Sequence, residues 1–115
     1  MSGQELKMTN DAKATLATHP LAELAPKFIA LSSEVLFNDI WERPGLSKRE
    51  RSLITVASLV SLYRQNELPF HLKKALENGL TQEEIVEAIT HLAFYSGWPT
   101  AATALGIAKS TFDAA

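Results

Sequence analysis

The chain of 115 residues carries eleven basic and thirteen acidic side chains, a formal charge of −2, with 46% hydrophobic and 21% charged residues and no cysteine. That length buries one core without staples, so a single domain over residues 1–115 is expected, with a weakly ordered segment over 1–20. The charge balance argues against nucleic acid as a partner, and the missing thiols exclude disulfides, thiolate metal sites and thiol catalysis.

No apolar run reaches the ~18 residues needed to cross a bilayer. The opening "MSGQELKMTNDAKATLATHP" lacks a basic region followed by an apolar stretch. No membrane association and a cytoplasmic location are therefore expected.

Apolar residues recur three and four apart, and no alternating run is long enough for a sheet, so the fold class is all-α. A first segment, about 9–18, is weak and prone to fraying. In "LAELAPKFIALSSEVLFNDIW" the residues Leu24, Phe28, Leu31, Val35 and Leu36 mark one apolar stripe, and Pro26 fits a first turn or a kink. Pro44 and Gly45 then break the chain. Ser47 with Glu50 forms a capping box for a helix over roughly 47–63, which is apolar almost all round after its first turn. Such a helix must be surrounded, and so short a chain implies that a second subunit helps.

Asn66, with Pro69 behind it, is expected to open the helix "LPFHLKKALENG", and Gly79 to end it in the left-handed conformation. Thr81 and Glu84 make a second capping box before "TQEEIVEAITHLAFYS", whose core stripe is Ile85, Val86, Ile89, Leu92 and Ala93. Gly97 and Pro99 precede a helix rich in small residues, "TAATALGIAKSTF", suited to close packing.

Glu67 and His71 lie one turn apart, with Cβ atoms ~6 Å from each other if both are helical. A carboxylate beside an imidazole can prepare it to move a proton near neutral pH. Glu67 could equally be the polar opening of a surface helix. His91 falls on the flanking stripe Ala88, His91, Tyr95, with Trp98 just beyond; it lines a cavity or interface, or is a satisfied core residue. No HExxH spacing, glycine-rich phosphate loop or GxSxG elbow is present, and no metal is expected. Among the basic residues Arg43, Lys48, Arg49, Arg51 and Arg64, most are expected to be solvated. Arg51 is the exception, because the buried run follows it directly and a guanidinium there could clamp a carboxylate.

"WERPGLSKRERSLITVASL" followed by "ELPFHLKKALENGLTQEEIVEAITHLAFYSGWP" closely resembles the carboxymuconolactone decarboxylase family over about residues 37–110. W-x-RPGL, RSL, EL-x-x-H-x-x-x-AL-x-x-G, T-x-x-E and H-x-x-x-Y-x-G-x-P occur in order. The resemblance implies the alkylhydroperoxidase D-like fold, helices packed as antiparallel hairpins, and a ring-shaped homo-oligomer, a hexamer or trimer. In the peroxidase branch a CxxC pair precedes the histidine; its cysteines would fall on Arg64 and Glu67, and its proton-relay glutamate on Ser52. Thiol-dependent peroxide reduction is thereby excluded.

What remains implies a cofactor-free lyase acting on a small carboxylated lactone such as γ-carboxymuconolactone, in aromatic catabolism. On that resemblance His71 is the proton donor and Glu67 its orienting, pKa-raising partner. Arg51 is a carboxylate clamp and Arg43 a weaker second one, His91 and Tyr95 are donors to the carbonyl oxygen, and Trp98 is a pocket wall. The alternatives are a non-catalytic oligomer that binds a small acid, and a structural ring.

Overall fold

The computed structural model describes residues 18–114, and among these every regular element is helical. The chain divides into two compact units, the residues up to Leu46 and those from Ser47 onward.

In the first unit, turns over 20–24 lead into helix α1, Pro26–Leu31, with Pro26 at its start, where the missing N–H costs nothing. The helix continues as a π-type segment, Ser32–Phe37, and a 3-10 turn, Ile40–Glu42. The expected single helix over 21–41 is thus three pieces. Wider π-type turns rotate the apolar face away from a 3.6-residue period. Phe37 and Trp41 are the buried residues here, with Ile29 packed on them, while Leu24, Phe28, Leu31, Val35 and Leu36 are all exposed. The predicted stripe is an open apolar face in the single chain. The weak helix expected at 9–18 lies outside the described residues, Thr18 apart.

The second unit holds four helices: α2, Lys48–Ser61; α3, Leu68–Glu77; α4, Gln82–Ser96; and α5, Trp98–Ala114. Both capping boxes form. Ser47 Oγ accepts from Glu50 N–H at 3.0 Å while Glu50 Oε1 accepts from Ser47 N–H at 2.9 Å, and Thr81 and Glu84 repeat the exchange at 3.0 Å each way. At the end of α3, Gly79 adopts φ +105°, and the N–H of Leu80 reaches back to the carbonyl of Ala75 at 3.0 Å. That left-handed exit favours glycine. Gly97, at φ +114°, makes the sharp join between α4 and α5.

The N-terminal cap of α3 is Glu67 rather than Asn66, and its side chain makes no cap bond. Its Oε1 instead accepts from Arg64, at 3.1 Å from Nε.

Leu68, Leu72, Ile85, Ile89 and Val56 fill the core, closed by Ala101, Ala104 and Ala108 of α5. These alanines recur at helical spacing on one face and let α5 approach closely. Val86, expected in the core, is exposed instead. Helix α3 packs on α2 and α5, and α4 packs on the same two. Ile54 on α2 is exposed in the single chain, as are Leu62 and Tyr63 just past its end, so that helix is not fully covered. No helix among the described residues is long and apolar enough to cross a membrane.

Candidate functional site

His71 occupies the first turn of α3, half-buried, with its Nδ1 atom inside the protein. The ring of Phe70 meets it edge-on at 5.0 Å. One turn further, Lys74 is only 9% exposed, which is rare for lysine. Its Nζ is 3.0 Å from a Glu77 carboxylate oxygen and 5.8 Å from the centroid of Phe70. Burial lowers the proton affinity of His71 below that of ordinary imidazole, the Lys74 ammonium lowers it further, and Glu67 opposes both more weakly. Glu67 acts in the pKa-raising direction expected of it, but Arg64 anchors its carboxylate, and its field is the smallest of the three influences.

Lys74 was not singled out by sequence reasoning. The signal was its spacing, three residues after His71 and two after the fully buried Leu72. Replacing Lys74 with methionine should raise the imidazole titration midpoint of His71 toward the ordinary value without restoring it fully, because burial remains. A histidine-resolved NMR pH titration checks this.

Asn78 lies two turns past His71, on the same side of α3, and its Nδ2 donates to Ser52 Oγ at 2.9 Å. The His71 face of α3 is thereby turned toward α2. Arg51 precedes Ser52 and is half-buried, with Nε inside the protein. Arg43 is exposed and lies in the first unit. Arg49 and Arg64 keep solvent-exposed surface, as expected, and each also pairs with a carboxylate, Arg49 with Glu84 and Arg64 with Glu67.

His91 and Tyr95 come together as predicted by spacing, stacked at 4.8 Å with 28° between the rings. Phe94 and Trp98 meet edge-to-face at 6.3 Å. All four face outward. Tyr95 is 79% exposed and Trp98 69%, so neither walls an enclosed pocket within this chain. Between α2 and α4 runs an open groove of about 500 Å³, floored by Leu53, Ala57 and Leu92 and edged by Arg49, Glu84, Glu87 and His91. With Arg49 engaged by Glu84, the edge of this groove is net acidic, which disfavours a dianion. Neither His71 nor Glu67 lines it.

Residues 26–110 match the sequence profile of the carboxymuconolactone decarboxylase family, a longer stretch than the motifs alone suggested. The chain is 39% identical over 80 residues to 4-carboxymuconolactone decarboxylase of Acinetobacter baylyi, covering 70% of this chain and 60% of that protein. It is 35% identical over 83 residues to nitrosuccinic acid decarboxylase of Metarhizium robertsii, covering 72% and 58%. An uncharacterized 15.0 kDa protein of Paracoccus denitrificans is 29% identical over 114 residues, or 96% and 85%. The chain thus spans about three fifths of the length of the two decarboxylases. The matched segment contains His71, Lys74, the His91–Tyr95 pair and both capping boxes, and on it the chain belongs to the carboxymuconolactone decarboxylase family.

Proposed function

We propose that the chain is a cofactor-free decarboxylase of a small carboxylated acid that carries its own electron sink, with γ-carboxymuconolactone as the first candidate. The observation that carries this reading is the half-buried His71 beside the buried Lys74, within a segment similar to two decarboxylases. A lactone carbonyl in one relative's substrate and a nitro group in the other's can each accept the electron pair left by departing carbon dioxide. Such acids need no external cofactor.

For the lactone, the bond to the carboxylate carbon breaks and its electron pair moves through the ring double bond onto the lactone carbonyl. Carbon dioxide leaves, and the enolate collapses by taking a proton on carbon. His71 supplies that proton. Burial and Lys74 lower its proton affinity, and the charge of an anionic substrate beside Lys74 would favour the protonated ring. Lys74 and Arg51 hold carboxylate, and Tyr95 and His91 donate to the oxygen that gathers charge.

The test is ultraviolet-monitored decay of γ-carboxymuconolactone by the purified protein, with carbon dioxide release followed in parallel and nitrosuccinic acid as second substrate. Saturable turnover of the lactone is expected. If the intact protein turned over neither compound but bound them, the chain would be an acid-binding member of the family rather than a lyase.

A further inference from the structure

The side chain of Lys74 is 11% exposed, whereas that of its partner Glu77 is 63% exposed. Lysine is seldom so buried, and when its stem is packed the ammonium must still reach water or a counter-charge. Here it reaches Glu77, 3.0 Å away and three residues along α3. Glu77 is the last residue of that helix, where the unpaired carbonyls make a carboxylate unfavourable. Helix stability therefore gives no reason for an acid at this position, and the Lys74 ammonium does.

The same ammonium lies 5.8 Å from the centroid of Phe70, and that ring meets His71 edge-on at 5.0 Å. Glu77, Lys74, Phe70 and His71 thus form a continuous row along α3. The charge of Lys74 is felt at His71, whose proton affinity it lowers. An acid bound with its reacting carbon at His71 brings its own carboxylate to this row, where it and Glu77 compete for one ammonium. The two partners differ in which can yield. The lysine stem is packed and cannot swing out without exposing buried surface. Glu77 can turn into water at the loss of one exposed pair three residues apart, a weak class of interaction.

We propose that Glu77 is an internal stand-in for a substrate carboxylate: it holds the Lys74 ammonium while the site is empty and gives it up when an acid binds beside His71. Glu77 thereby sets the affinity for carboxylates, and Lys74 selects them. A neutral analogue that offers only an ester carbonyl does not displace Glu77 and is rejected. That the displacing group belongs to a substrate rests on the decarboxylase reading; the competition for Lys74 does not.

Glutarate, a saturated dicarboxylate with no electron sink, serves as an unreactive probe, its binding followed through the His71 imidazole signal in NMR titrations. Glu77→Gln keeps the shape and removes the competing charge, and should bind glutarate about two- to fivefold more tightly than wild type. Lys74→Met should bind it more weakly than wild type, and dimethyl glutarate should not distinguish Glu77→Gln from wild type. Asp113→Asn removes one negative charge from another exposed lysine pair, Lys109–Asp113 on α5, and should leave glutarate binding unchanged. The proposal is overturned if Glu77→Gln binds glutarate no better than wild type, or if neither protein binds it. An equal gain in Asp113→Asn would overturn it too, by reducing the effect to net charge. The KM for γ-carboxymuconolactone should fall in Glu77→Gln by a similar factor. Tighter glutarate binding by Glu77→Gln, with no acid turned over by wild type, would keep the competition and remove the decarboxylase reading alone.

Discussion

His71→Gln should lower decarboxylation of γ-carboxymuconolactone by roughly 10²–10⁴-fold, the range for loss of a positioned general acid, while the helical signal stays unchanged. Glutamine fills similar space and cannot supply a proton on carbon. The pH behaviour separates this from a packing defect. Burial and Lys74 depress the proton affinity of His71 in the folded chain, so the unfolded chain binds a proton first as pH falls through about 6.5. Folding stability attributable to this group is complete above that pH. It declines toward the lower folded value, and the glutamine variant should lack the decline in acid-titrated denaturation. For the same reason kcat/KM of the wild-type protein should rise as pH is lowered from 8 toward 6, because the free protein's acid is then increasingly charged. A flat profile would remove His71 from the role of donor.

Much of the second unit was legible because its signals are local. Ser47 with Glu50 and Thr81 with Glu84 satisfy backbone donors within three residues, and Gly79 ends α3 through its own backbone. Such features need no knowledge of the rest of the chain. In the first unit the 3.6-residue period does not hold: α1 passes into a π-type segment over Ser32–Phe37, and Phe37 and Trp41 are buried rather than the expected stripe.

The candidate site was legible in its residue types more than in its electrostatics. The i, i+4 spacing of Glu67 and His71 indicated that the two could meet, but not that Arg64, three residues before Glu67, anchors that carboxylate or that burial of the imidazole outweighs its effect. Burial is a property of packing, and a single sequence does not print it. The Arg49–Glu84 pair joins residues 35 apart and follows only once α2 and α4 are known to run parallel. His91 and Tyr95 stack as their spacing indicated, but their outward direction depends on which stripe of α4 the core takes, and Ile85 and Ile89 take it.

Leu72→Ala should produce the opposite signature to His71→Gln, although the two residues are adjacent. Leu72 has no exposed surface and sits at the centre of the core formed with Ile85, Ile89 and Val56. Removing its branched end forfeits burial and leaves a space that the small-residue packing of α5 closes only in part, at a cost of about 2–5 kcal/mol. The midpoint of urea denaturation should fall accordingly at fixed protein concentration, with an unchanged slope, since the surface exposed on unfolding is nearly the same. Well below that midpoint, kcat should stay close to wild type. The Asn78–Ser52 bond that turns the His71 face toward α2 does not involve the Leu72 side chain. A loss of kcat in the folded protein would mean that packing beneath the imidazole, and not only its proton, sets the rate.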